Sequence, residues 1–192
     1  MSELDRARQI ESHVREILKL LGENPEREGL LDTPKRVAQS LLELTQSLRS
    51  EPPEVKFFTV PPEAASNLIV IRNIEFLSLC EHHLLPIIGY ASVVYKPREN
   101  KVPGLSKVIR LVQWYARRPI LQERFTQELA NFLLEKICAK FVYCRIAALH
   151  MCVFLRGVKS TSSILVTEAL AGETDVDISR LRELAKCKLP RF

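Results

Sequence analysis

Residues 106–133 read SKVIRLVQWYARRPILQERFTQELANFL. Val108, Ile109, Val112 and Tyr115 recur at helical spacing, Pro119 interrupts the pattern, and Phe125, Leu129, Phe132 and Leu133 resume it. That predicts two consecutive helices. Strand-like segments lie on both sides. Ahead of the helices one strand begins at Leu68-Ile69-Val70-Ile71 and another runs from Ile87 to Tyr95, with a turn-rich loop from Lys96 to Pro103. After them, residues 141–155 and 161–170 carry the same β-rich pattern. Strand pairs flanking two helices predict an α+β body with a largely antiparallel sheet.

Toward the N-terminus, Ile10, Val14, Ile17, Leu18 and Leu21 form one stripe of an amphipathic helix that Gly22 closes. A second helix is expected from Asp32-Thr33-Pro34, with Thr33 capping and Pro34 in the first turn, continued by Val37, Leu41, Leu44 and Leu48. Residues 49–66 contain Pro52-Pro53 and Pro61-Pro62 and read as a connector. The expected organisation is a helical arm over 1–50, a body over 67–175 and a tail over 176–192 with a short helix from Asp177 to Lys186.

The chain has 192 residues, a formal charge of +5 and five cysteines. The first residues are charged at once, and no apolar run approaches the ~18–20 residues needed to span a bilayer. An odd number of cysteines fits a reducing compartment better than a disulfide scaffold. A cytoplasmic protein with no membrane partner is expected. Basic residues are not interleaved with aromatics as stacking modules require, so no nucleic-acid partner is expected either.

Chemistry concentrates in two clusters, Cys80-Glu81-His82-His83 and His150-Met151-Cys152. A Cys and a His three apart on a turn can grip one ion. On a predicted strand, alternation would point His150 and Cys152 to the same side. Two thiolates and up to three imidazoles suit zinc and not magnesium or calcium. Packing as core residues and a closed four-ligand zinc are the competing interpretations. The surplus histidines favour an open, hydrolytic zinc, because one can stay unligated beside the metal.

At these residues the chain resembles GTP cyclohydrolase I. The resemblance runs from about Glu28 to Gly172 and is carried by Ser78-Leu79-Cys80-Glu81-His82-His83-Leu84-Leu85-Pro86, Gly104-Leu105-Ser106-Lys107, Gln122-Glu123-Arg124, and His150-Met151-Cys152 followed by Arg156-Gly157-Val158. Gly29 to Val37 also looks like the family's early segment. It implies a tunnelling fold, an antiparallel sheet with two packed helices, assembled through sheet edges into pentameric rings that stack as a homodecamer with active sites between subunits.

The resemblance further implies that Cys80, His83 and Cys152 bind zinc, and that His82 and His150 are catalytic. It implies that Glu123, with Gln122 beside it, meets the guanine edge of GTP. Ser106, Lys107, Arg110 and Arg156 would surround the ribose and triphosphate, with Ser106 also handling protons. The implied reaction is hydrolysis of GTP to 7,8-dihydroneopterin triphosphate and formate. Zinc-activated water would attack C8, His150 would deliver a proton to N7, and His82 and Ser106 would serve the later ribose rearrangement.

Two departures stand out. Ala147-Ala148-Leu149 replaces the family's usual Glu-Ala-Thr or similar triplet, removing a carboxylate, and Pro119-Ile120 replaces a more usual Leu-Gln. A nucleobase deaminase would need H-x-E and P-C-x-x-C, and neither pattern occurs. A non-enzymatic zinc-binding assembly protein on the same scaffold is the remaining alternative. It would have no need of both surplus histidines and Glu123.

Overall fold

The computed structural model describes residues 1–190. The final two residues of the expected tail lie outside that range. The chain forms two compact units that divide between Gln46 and Ser47.

The first unit is a helix pair. Helix α1 (Glu3–Leu20) starts on a reciprocal cap: the Ser2 hydroxyl accepts from the Asp5 N–H at 3.1 Å, and the Asp5 carboxylate accepts from the Ser2 N–H. It ends before Gly22, whose φ of 86° suits glycine. Of the expected stripe only Val14 is buried, and Ile17 and Leu21 remain exposed. Helix α2 (Thr33–Leu44) corrects the expected cap: Asp32 occupies that position, Thr33 is already helical, and no side chain bonds the free N–H groups. Its buried line is Pro34, Ala38 and Leu42, at i+4 spacing, with Val37 and Leu41 flanking it.

The second unit carries β1 (Phe57–Thr59), the one-turn helix α3 (Pro62–Ala65), β2 (Ile69–Cys80) and β3 (Pro86–Pro97). It continues with β4 (Lys101–Pro103), α4 (Leu105–Ala116), β5 (Pro119–Ile120), α5 (Gln122–Lys136) and β6 (Ala139–His150). The helical turn α6 (Met151–Phe154), β7 (Leu165–Gly172) and α7 (Ile178–Leu184) complete it. The main sheet has the order β5-β2-β3-β6-β7; every pairing is antiparallel except β5 with β2. This is the α+β body predicted from the strand and helix pattern, with α4 and α5 packed on one face.

Three expectations need correction. The connector and the turn-rich loop contain strands, because β1 pairs with β4. The strand expected over 141–155 stops at His150 and gives way to α6. The last strand starts at Leu165 instead of residue 161.

Period-2 alternation sends each strand's side chains into two cores. Val93, Tyr95, Val142, Cys144, Ile146 and Ala148 face α4 and α5, where Val108, Leu111, Leu129 and Leu133 are fully buried. Removing one such leucine side chain costs about 2–5 kcal/mol. The intervening Val94, Phe141 and Tyr143 pack under Leu181 and Ala185 of α7. Near the Pro86 end, Gly89 is squeezed between neighbours. A Cβ there would lie 2.7 Å from the Ala148 Cβ and 2.8 Å from the Phe76 ring.

Helix α7 is also tied to the sheet by charge. Glu168 on β7 accepts from the Tyr143 hydroxyl at 2.6 Å, from Arg145 at 3.3 Å and from Arg182 of α7 at 2.8 Å. The Arg182 bond, then Tyr143 and the two positive charges, hold the Glu168 carboxyl below the usual carboxylate range, while burial pushes the Tyr143 phenol up to about 12. A lowered folded-state pKa stabilises above the unfolded value and is lost as pH falls through the folded one. Glu168→Gln is therefore expected to lower the melting temperature near neutral pH. The gap to wild type should close as pH falls below about 4, as followed by circular dichroism melts across pH.

Candidate metal centre

Cys80 is the last residue of β2 and is held from two sides. Leu79 pairs with Pro86 on β3, while Leu79 and Cys80 pair with Pro119 and Ile120 on β5. The Ser78 hydroxyl donates to the Arg118 carbonyl at 2.7 Å, and the Glu81 N–H donates to the Ile120 carbonyl at 3.1 Å. The chain then reverses within five residues. The Cys80 N–H donates to the Leu85 carbonyl and the Leu84 N–H to the Cys80 carbonyl, both at 2.8 Å. Leu84 has a φ of 53° to make this turn, a left-handed conformation that costs a non-glycine residue about 1–2 kcal/mol. The reversal returns His83 over Cys80, with Nδ1 3.7 Å from Sγ.

A salt bridge fixes the turn from outside. Arg124 of α5 donates two hydrogen bonds to the Glu81 carboxylate, at 2.8 and 2.6 Å. Exposed His82 projects beside the cluster, with its Nδ1 3.9 Å from the Cys80 sulfur.

The second cluster is arranged differently from the strand alternation expected of it. His150 ends β6 in extended conformation, and Cys152 already belongs to α6. The sulfur of Cys152 meets Cys80 and His83, and the ligand atoms of these three residues all lie within 4.8 Å of one another. For Zn–S and Zn–N bonds of about 2.3 and 2.0 Å at tetrahedral angles, S and N stand roughly 3.6 Å apart. The Cys80–His83 distance matches that edge. Burial, and then the Cys80 sulfur alongside, push the Cys152 thiol up. A bound cation reverses that logic and deprotonates a coordinating thiol. Two sulfurs and one imidazole fit zinc, with a fourth position left for water.

The His150 ring reaches α5, its Nε2 2.8 Å from the Gln122 side-chain oxygen. Burial lowers its pKa, and Glu123, next along α5, opposes that shift. Glu123 itself is exposed at the first turn of α5. Gln122 stands otherwise than expected for a group meeting the guanine edge. It is fully buried, and its amide donates to the Leu165 carbonyl and the Thr167 hydroxyl, both at 3.1 Å. Arg156 reaches the cluster, 2.7 Å from His83 Nε2.

Ser106, Lys107 and Arg110 lie elsewhere. Helix α4 runs from the far end of the sheet, after β4, back toward β5 beside Cys80. At 1.5 Å per residue, Ser106 stands about 15 Å along the helix axis from the end near the metal cluster. A cavity of about 450 Å³ between β2, β3 and α4, lined by Glu75, Leu77, Tyr90, Gln113 and Arg117, shares no residue with the cluster.

Sequence reasoning missed the Glu81–Arg124 bridge and the buried polar group of Gln122, Thr126 and Thr167. A signal for the second existed. Gln122 and Thr126 occupy the same i, i+4 face of α5 as the core residues Phe125, Leu129 and Leu133, and a polar side chain on an apolar stripe needs a partner.

Fold and site together define an α+β protein in which two thiols and an imidazole could hold a metal ion, with His150 and Glu123 at the adjoining ends of β6 and α5. A family model described as GTP cyclohydrolase I matches residues 10–187. GTP cyclohydrolase 1 of Pyrobaculum aerophilum is 51% identical over 174 residues, covering 91% of this chain and 92% of the relative. The Pyrobaculum neutrophilum protein of that name is 50% identical over 93% of this chain and 94% of its own. That of Geobacillus kaustophilus is 46% identical over 92% and 93%. The chain belongs to the GTP cyclohydrolase I family.

Cys152→Ala is expected to drop zinc from about one ion per chain to a trace, measured by plasma mass spectrometry after dialysis. Arg124→Ala, which frees the turn without touching a ligand, is expected to weaken zinc retention about 10- to 100-fold in a competitive chelator titration.

Proposed function

We propose that this chain is a zinc-dependent GTP cyclohydrolase I, converting GTP and water into 7,8-dihydroneopterin triphosphate and formate for pterin and tetrahydrofolate synthesis. The observation that carries the proposal is the convergence of Cys80, His83 and Cys152 beside His150 and Glu123, in a chain of this family. A silent zinc scaffold would have no use for the last two. Every proposed catalytic or binding residue falls in the expected body over 67–175. Five free cysteines and the absence of any helix, among the described residues, long and apolar enough to cross a membrane fit a cytoplasmic setting.

The Glu123 carboxylate accepts hydrogen bonds from adjacent N–H donors of guanine and orients C8 toward the metal centre. Bound there, zinc supplies Lewis acidity that polarises water and brings its proton loss near neutral pH. As water adds across N7–C8, His150 takes up the departing proton and passes it to N7. Cleavage of C8–N9 opens the ring to a formamide, and a second water releases formate. His82, exposed beside Cys80, and Ser106 then move protons while the ribose opens, rearranges and recloses as the pterin ring. Lys107, Arg110 and Arg156 hold the triphosphate.

Helix α4 sets Ser106 about 15 Å, Lys107 about 13 Å and Arg110 about 9 Å along its axis from its end near the metal cluster of their own chain, so a neighbouring copy supplies them in an oligomer. Two features support this. Apolar side chains are exposed at both places: Leu105 beside Ser106, and Leu84, Leu155 and Val158 around the metal end. β5 covers only the last two residues of β2, and β7 ends the sheet on the other side, which leaves two edges open to strand pairing. The expected assembly is a decamer of two pentameric rings.

Incubation of the zinc-loaded protein with GTP should release formate and a pterin that fluoresces after oxidation. No formate from GTP would end the proposal. Glu123→Ala should raise KM for GTP by roughly 10- to 100-fold, the equivalent of an unmatched buried donor pair at about 1–3 kcal/mol, and wild type should turn over ATP poorly. His150→Ala should keep zinc and oligomer yet lose about 10²–10⁴-fold in pterin formation. Mixed oligomers of inactive His150→Ala and inactive Lys107→Ala chains should regain activity, since some sites then hold a wild-type half from each. Failure to regain any would place the whole site within one chain.

A further inference from the structure

We infer that Gln122 is a positioning residue that locks His150 in one tautomer, with the proton on Nε2, so that Nδ1 is the nitrogen offered to the substrate; this rests on His150 being the proton carrier. The hydrogen-bond chain around Gln122 has only one consistent set of directions. The Thr126 hydroxyl donates its single hydrogen to the Gln122 backbone carbonyl at 2.7 Å. In the 2.6 Å contact between the two threonine hydroxyls, Thr167 must therefore be the donor. Thr167 is then left to accept from the Gln122 amide nitrogen at 3.1 Å. The second amide hydrogen goes to the Leu165 carbonyl, which can only accept. A flipped amide would set its oxygen against that carbonyl, so its orientation is fixed by the network.

With both amide hydrogens committed, the Gln122 oxygen can only accept, and His150 Nε2 at 2.8 Å must carry a hydrogen. In the neutral imidazole the other nitrogen, Nδ1, is then bare. Gln122 is fully buried and Thr126 nearly so, so neither the amide nor the hydroxyl beneath it can be re-paired by bulk water. The same burial removes Gln122 from the guanine edge, where the family resemblance put it. Its neighbour Glu123 faces solvent from the same helical turn. One residue of α5 thus serves the substrate and the adjacent one serves the histidine.

The test uses the zinc-loaded oligomer labelled with nitrogen-15 histidine and studied as a sediment by solid-state NMR. The His150 signals are identified among the four histidines by their loss in His150→Asn. The expected spectrum has a protonated Nε2 and a bare Nδ1; the opposite tautomer in the wild type overturns the inference. Gln122→Met, of similar size but with neither donor nor acceptor, should keep zinc and lose the single tautomer. It should lower kcat on the order of 10²-fold, as expected for a misheld tautomer, with KM for GTP within about threefold. Gln122→Glu retains the acceptor and should recover at least about tenfold of that loss. A rise in KM with kcat unchanged would return Gln122 to the substrate and overturn the inference. Loss of the tautomer with kcat intact would instead overturn the proton-carrying role of His150 and leave the tautomer assignment standing. Should Gln122→Met fail to fold, the wild-type spectrum and Gln122→Glu still decide the matter.

Discussion

Leu79 of β2 is paired along both edges at once, to Pro86 of β3 and to Pro119 of the two-residue β5, and Cys80 beside it pairs with Ile120 of β5 while its N–H bonds the Leu85 carbonyl. Those few backbone hydrogen bonds fix the position of Cys80, the first candidate metal ligand. They also decide what surrounds it, because β5 is the link between α4 and α5. Anchoring Ile120 beside Cys80 puts the first turn of α5, with Gln122, Glu123 and Arg124, against the metal cluster. The β3–β6 pairing then brings His150 opposite Ile87, just inside the turn that carries His83. Cys152 follows within one helical turn.

Holding polar chemistry at the edge of an apolar core imposes local conditions that the sequence meets one by one. Leu84 accepts a left-handed backbone so that the turn closes in time for His83 to face Cys80. Gly89 and Ala148 are small because Phe76 and β6 approach each other there with no room for more. Ala147, which stands where the family's usual triplet has a carboxylate, and its neighbour Ala148 are both fully buried. On α5, Gln122 and Thr126 break the apolar stripe, and each polar atom of the pair finds a partner on β6 or β7. An unpaired group in that position would cost about 1–3 kcal/mol.

The two halves of the proposed site sit at opposite ends of α4, and helix geometry alone accounts for the separation. The basic residues and the hydroxyl belong to its first turns, while its last turn leads into β5. A helix of this length cannot bend its ends together. In the proposed function the site is therefore completed by association, for which the exposed Leu105 at one end and the exposed Leu84 and Leu155 near the other supply apolar surface.

The sequence by itself determined the order of the main helices and strands, the two clusters of ligand-type residues and the family. Those properties are local: helical and strand periodicity survive in any context, and Cys80-Glu81-His82-His83 keeps its spacing whatever the rest of the chain does. The stop of β6 at His150 was not legible, because the residues that follow, Met151 to Phe154, are as apolar as a strand, and only their place at the sheet's end makes a helical turn. The partnership of His150 with Gln122 was equally hidden, since it joins residues from different elements through a third, β7. Glu81 and Arg124 are likewise 43 positions apart. Such pairs are set by how strands and helices stack, which no short window of sequence contains. What only the tertiary structure decided is which nitrogen faces which oxygen, and the proposed chemistry turns on that.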